Sequence, residues 1–126
     1  MSNLIPTIKN AVKGDVATDA ATQKTYSRDT SIFTRTPEVI VFPKDTADVS
    51  ALVKVVAEAR GKGEPVSVTA RSGGTDMSGG PLTTSVLAVF TQYMNHVSDV
   101  VEEGTGGFAV PEPGAVAPDE PGTPLA

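Results

Sequence analysis

The sequence predicts an α+β fold: a small mixed β-sheet of about four strands with a crossover helix. Three observations predict it. Glu38-Val39-Ile40-Val41-Phe42 is β-branched and almost continuously apolar, as in a strand covered on both faces. A helical pattern follows, capped by Asp45 or Thr46 and running to about Arg60. A second strand pattern, Val66-Ser67-Val68-Thr69-Ala70, comes after the helix. Strand, helix, strand in that order favours a parallel pair with a right-handed crossover.

Residues 1–20 predict a short helix, because Ile5, Ile8 and Val12 lie on one stripe and Lys13-Gly14 can end it. Residues 21–36 are rich in Thr, Ser and Arg and read as irregular, and Pro37 turns Thr36 away from helix. In the 46–60 helix, Val49, Leu52, Val53 and Val56 form the core face, and Gly61 and Gly63 supply the stop. Val86-Leu87-Ala88-Val89-Phe90 reads as a third strand, with Met94 and Val97 packing near its exit. Phe108-Ala109-Val110 reads as a short fourth strand. Five of the ten prolines then fall between Pro111 and Pro124, and apolar periodicity ends by Val116. A stretch that buries so little cannot offset its ordering entropy. The chain therefore divides into an N-terminal segment (1–21), one domain (22–116) and a disordered tail (117–126).

Composition excludes several function classes. With no cysteine among 126 residues, a disulfide framework, a thiolate metal site and a cysteine nucleophile are ruled out. No run is long enough to span a bilayer, and the first residues lack the apolar core of a signal peptide, so a cytoplasmic protein is expected. Ten basic and eight acidic residues up to Arg71 give that part +2; seven acidic and no basic residues give the remainder −7. No basic stripe suits nucleic acid, and an anionic ligand must be held mainly by backbone amides with very few cations.

One loop carries chemistry: Arg71-Ser72-Gly73-Gly74-Thr75-Asp76-Met77-Ser78-Gly79-Gly80, directly after a strand. Glycines let backbone approach a ligand, and successive amides can converge on an anion. Ser72, Thr75 and Ser78 add hydroxyl donors, and Arg71 can neutralise part of a diphosphate charge. A Walker loop is excluded, since Gly80-Pro81 stands where Lys and a hydroxyl residue are needed. A Rossmann fingerprint is excluded too, since the glycines come in two adjacent pairs and lead back to a strand. A glycine-rich surface turn with no ligand remains the competing reading.

Thr69-Ala70-Arg71-Ser72-Gly73-Gly74-Thr75-Asp76-Met77-Ser78-Gly79-Gly80 resembles the pyrophosphate loop of the vanillyl-alcohol oxidase type of flavoprotein, the PCMH-type FAD-binding domain. Tyr26-Ser27-Arg28-Asp29 with Pro37 to Pro43 is similar to that family's entry into its first strand, and Glu112-Pro113-Gly114-Ala115-Val116 to a later turn. The resemblance covers Thr22 to Val116 and implies the first FAD-binding subdomain of that fold. It implies FAD as cofactor, with Arg71, Ser72, Gly73, Gly74, Thr75, Asp76, Ser78, Gly79 and Gly80 as its binding residues. The loop looks closest to the D-lactate dehydrogenase and glycolate oxidase branch, which oxidises 2-hydroxy acids by hydride transfer to flavin. Many members attach the flavin to a His in this loop; Thr75 occupies that place, which implies non-covalent FAD. Complete members continue into a second FAD subdomain and a substrate domain. The expectation is thus an FAD-binding piece of an oxidoreductase, inactive alone, or half of a split enzyme that needs a companion chain. A truncated product that binds nothing well and a phosphate-binding module for another nucleotide are the alternatives.

No catalytic residue and no metal site is assigned. His96, the sole histidine, reads as a surface or packing residue, because a base needs an orienting partner that sequence does not locate. Asp99, Glu102 and Glu103 read as a solvated turn. Tyr26 and Arg28 are open between cofactor contact and structure, as is Met77 between packing under the loop and against a cofactor ring.

Overall fold

The apolar run at 39–42 forms β2 (Val39–Phe42), every residue of which is buried. In this computed structural model, which describes residues 3–116, β2 is preceded by α1 (Leu4–Ala11), β1 (Asp15–Ala17) and α2 (Ala20–Thr25). It is followed by α3 (Thr46–Gly61), β3 (Val68–Arg71), β4 (Val86–Val89), β5 (Val101–Glu103) and β6 (Gly106–Phe108). The four-stranded sheet is mixed, in the order β1-β2-β4-β3, and β5 with β6 forms a separate antiparallel hairpin.

Alternation along the two central strands explains the layers. Val39, Val41, Val86 and Ala88 join Leu4, Ile8 and Val12 around α1 and Leu52, Val56 and Ala59 of α3 in one core. Ile40, Phe42, Leu87 and Val89 point the other way and pack with Ala17, Tyr26 and Tyr93. The register, Val39 opposite Val86 and Ile40 opposite Leu87, keeps both sets aligned. A strand apolar on both faces is the pattern that parallel sheets demand.

The structure departs from the expected topology in specific ways. β2 and β3 are parallel but not neighbours, because β4 pairs with both and separates them. All four residues of β4 are buried, whereas three of the four in β3 are not, so β3 takes the edge. The fourth strand is β1, antiparallel to β2; Phe108 belongs instead to the exposed hairpin. Within 21–36 the chain forms α2, capped by the Asp19 carboxylate accepting from the Thr22 amide at 2.9 Å. Val53 is 48% exposed; the buried positions of α3 are Asp48, Leu52, Val56 and Ala59. The boundary drawn at residue 22 does not divide the packing, since α1 lies against α3 in the same core. The tail expected at 117–126 lies outside the described residues.

Asp48 ties this frame together. It is 1% exposed, and its carboxylate accepts from the amides of Lys13, Gly14 and Lys44 at 2.9, 2.9 and 3.0 Å. The turn into β1 and the turn into α3 are thereby fixed to each other. Among the described residues no helix is long and apolar enough to cross a membrane.

Candidate functional site

β3 and β4 are parallel, so the chain must return from the end of one to the start of the other. Residues 72–85 make that return, and the glycine-rich stretch sits where β3 ends, at the carboxyl edge of the parallel strands. Open α/β sheets bind ligands at that edge. A cavity of about 560 Å³ opens there, within the range of small-molecule sites. Ser72, Gly73, Gly74, Thr75, Asp76 and Gly80 line it, closed by Ala115 and Val116.

Gly73 shows what this space is for. A Cβ added to it would meet only the Thr75 Cγ2 at 3.8 Å and the Val116 Cγ2 at 4.0 Å. Nothing in the protein occupies the place of its side chain, so a ligand can approach its backbone closely. Gly74 has a different reason to be glycine. Its φ is +70°, and a Cβ would run into the Arg71 guanidinium.

Arg71, expected to reach a ligand's charge from the wall, stands behind the loop instead. Alternation along β3 puts its side chain on the face opposite Ala70, which lines the cavity. Arg71 is 9% exposed, its guanidinium lies 5.4 Å from the Tyr26 ring centroid, and its Nη1 has no hydrogen-bond partner. Tyr26 in turn meets Phe42 edge-on at 5.7 Å. The cation is held by packing and a ring face, directly beneath Gly74.

The far half of the loop is satisfied from within. The Asp76 carboxylate accepts from the Ser78 amide at 2.7 Å and the Ser78 hydroxyl at 2.6 Å. The Ser78 hydroxyl and amide, with a smaller contribution from the Gly80 amide, hold the Asp76 carboxyl below its usual range. Ser78 and Gly79 do not line the cavity. From outside, Thr30 donates to the Asp76 carbonyl at 2.9 Å, and Phe33 packs against Gly79, whose φ is +81°. The irregular segment after Tyr26 is therefore a brace for the loop. Met77 is 82% exposed and packs neither under the loop nor on the core.

What remains open to a ligand is the 72–75 arc, where Ser72, Gly73, Gly74 and Thr75 line the cavity and no lysine, arginine or histidine does. That chemistry suits an anion held by amides. The missing partner for His96 is also present. Its Nδ1 lies 3.0 Å from the Glu112 Oε2, and its backbone amide donates to the same oxygen at 2.9 Å. Sequence reasoning missed this pair because sixteen residues separate the two and only the return of the chain beside Met94 and His96 joins them.

Comparison with known proteins agrees with this geometry. Residues 37–119 match the family model described as FAD binding domain. The chain is 34% identical over 92 residues to the D-2-hydroxyglutarate dehydrogenase of Pseudomonas putida and 35% identical over 92 residues to that of Escherichia coli. Each match covers 72% of this chain and 9% of the relative, so the chain spans about a tenth of the length of these curated relatives. Among solved structures, alkyldihydroxyacetonephosphate synthase superposes with a TM-score of 0.62 at 18% identity, over 79% of this chain and 20% of that one. The wild-type BBE-like 1 protein of Physcomitrella patens superposes with a TM-score of 0.57 at 20% identity, over 75% and 20%. These two likenesses establish the fold.

Proposed function

The chain belongs to the FAD binding domain family, and from that premise we propose that its 72–75 arc grips the diphosphate of a non-covalently held FAD in an oxidoreductase acting on 2-hydroxy acids. One observation carries the reading: the cavity lined by Ser72, Gly73, Gly74 and Thr75, with no side chain in the place a Cβ of Gly73 would take. The bound flavin supplies a hydride acceptor for the hydroxy acid's oxidation. This chain's own work is to bind and orient. Ser72 and Thr75 donate hydroxyls, Gly73 lets the main chain close on the phosphates, and Arg71 adds positive potential from below Gly74. Asp76, Ser78, Gly79 and Gly80 set the loop's shape; Asp76 and Gly80 also stand at its rim. Thr75 stands where a histidine would carry a covalent link, so denaturing the loaded protein releases all of its flavin.

The name of the matched relatives motivates the 2-hydroxy acid, and such an enzyme calls for parts beyond the 9% these residues cover. A companion chain is the partner we propose for them. Ile32 and Met77, 94% and 82% exposed, are the surface it would cover.

A titration of the chain with FAD, followed by quenching of flavin fluorescence, tests the assignment when run with two glycine variants. Gly73→Val puts a side chain into the cavity, its Cβ in ordinary contact with the Thr75 and Val116 methyls, so it weakens FAD by about tenfold or more while the melting temperature holds. Gly74→Val strains a left-handed backbone against Arg71, so it lowers both. A parent chain that shows no saturable quenching with FAD overturns the reading, as does a Gly73→Val variant that binds like the parent.

A further inference from the structure

The β5–β6 hairpin has no covering layer. Val100, Val101, Phe108 and Val110 are each more than half exposed, and neither core includes any of them. A two-stranded hairpin bare in water is marginal by itself. What could cover it follows from its hydrogen-bond pattern. Glu103 and Gly106 face each other across the turn Gly104-Thr105, so they form a hydrogen-bonded pair. Such pairs alternate with non-bonded ones, which makes Val101 and Phe108 the next hydrogen-bonded pair. Further along, the Ser98 amide donates to the Val110 carbonyl, and the Val110 amide donates to the Ser98 hydroxyl. Phe108 and Val110 thus turn their main-chain groups inward. Gly107 and Ala109 turn theirs outward, to an edge that no other described strand occupies.

The two edges of the hairpin differ in charge. Asp99, Glu102 and Glu103 lie along the β5 side, and such charges keep an edge from pairing with its like. Gly106-Gly107-Phe108-Ala109-Val110 on the β6 side carries none. A strand suited to this edge has no charge, small residues where the main chains meet and an apolar group to set beside Phe108. β6 itself has all three. Residues 117–126 do not: Pro118, Pro121 and Pro124 lack a ladder N–H, and Asp119 and Glu120 would add charge to an acidic hairpin. We infer that the β6 edge docks the β6 edge of a second copy of this chain, antiparallel, with the two-fold axis at Phe108. Gly107 and Ala109 of one copy then exchange hydrogen bonds with Ala109 and Gly107 of the other. The two Phe108 side chains meet at a non-hydrogen-bonded position, where side chains come closest. Val101 flanks each of them, which gives one apolar row across four strands. Pro111, with no N–H, ends the pairing. The glutamates stay on the two outer strands, so the closed pair leaves no neutral edge for a third copy. The 72–75 arc takes no part in these contacts, and the pairing is independent of FAD.

Sedimentation equilibrium of the parent chain without cofactor tests the pairing. The average mass rises with concentration up to about 1 mM, toward two chains and no further, as a small interface requires. Phe108→Glu sets like charges face to face on the axis and weakens the dimer about tenfold or more. Phe108 lies outside both cores, so this variant keeps the parent's melting temperature. Glu102→Lys, on the outer strand, leaves the dimer within about threefold of the parent. Because the chain has no cysteine, cross-linking reads the register directly. Phe108→Cys places two thiols across the axis within disulfide reach and forms a covalent dimer on oxidation, whereas Glu102→Cys stays at the collisional background. In the parent, the Gly107 and Ala109 amides gain protection from deuterium exchange as concentration rises, and the Glu102 amide does not. A parent that stays a single chain to about 1 mM overturns the pairing, as does undiminished dimerisation of Phe108→Glu. A dimer weakened as much by Glu102→Lys moves the contact to the β5 edge, and mass that grows past two chains removes the two-fold; either result overturns it as well.

Discussion

At the scale of single residues, two buried charges do opposite jobs. Burial pushes the Asp48 carboxyl up, but the amides of Lys13, Lys44 and Gly14 together pull it down further, and it ends below the ordinary aspartate range. A folded-state pKa below the unfolded one gives stability that is fully present above the unfolded pKa. That stability is lost as pH falls through the folded pKa. Asp48→Asn keeps the shape but offers one acceptor oxygen to three donors, so it costs about 2–4 kcal/mol in urea unfolding at neutral pH. The same variant shows a flatter loss of stability below about pH 4, where the parent loses this contribution. A variant as stable as the parent would mean that these amides find other partners. Arg71 has no such partner, and its role is steric as well as electrostatic. Gly74→Ala drives a Cβ into the guanidinium, so Arg71→Ala raises the melting temperature of Gly74→Ala rather than lowering it further. Strictly additive losses would place the arginine elsewhere. The glycines of this loop were legible in the sequence as glycines. Which side of β3 Arg71 faces was not, because a strand's facing follows from its register against a partner that lies fifteen or more residues away.

At the scale of elements, β2, α3, β3 and β4 were legible because each carries its own periodicity or its own cap. The misses share a physical cause. Asp15-Val16-Ala17 is three residues long and half-exposed, so its pairing with β2 leaves almost no local pattern. α2 buries none of its residues and therefore shows no apolar stripe. Val53 follows Leu52 and looks apolar in the text, but a helix turns about 100° per residue and carries it away from the sheet. Leu52→Ala therefore costs about 2–5 kcal/mol, whereas Val53→Ala stays within about 0.5 kcal/mol of the parent in the same unfolding assay. Equal costs would contradict the orientation of α3. The β5–β6 hairpin is exposed along its whole length, and only short pairings anchor the chain near it, as where the Ser98 amide donates to the Val110 carbonyl at 3.0 Å. Its amides exchange with deuterium faster than those of β2 and β4, which are buried on both sides. Equal protection would show that the hairpin folds as one unit with the sheet.

At the scale of the whole molecule, charge sets a prediction whose sign is unusual for a phosphate site. The chain carries a net charge of −5, and the cavity wall includes the Asp76 carboxylate but no lysine, arginine or histidine. An incoming diphosphate is repelled at long range by the protein as a whole. In the proposed complex its attraction to the amides of residues 72–75 and to Arg71 beneath them acts at short range, and Arg71 is buried. Salt screens charges in solvent far more than buried ones, and raising it from about 20 to about 200 mM shrinks the Debye length from about 20 to about 7 Å. The repulsion therefore fades while the local attraction persists. FAD affinity rises with salt, by about two- to threefold over that range, and ADP follows the same trend because it carries the same diphosphate. Sites that hold phosphate with exposed lysines and arginines behave in the opposite way, since salt screens the attraction itself. A titration in which added salt weakens FAD would mean that exposed cations hold the ligand, and the described cavity wall contains none.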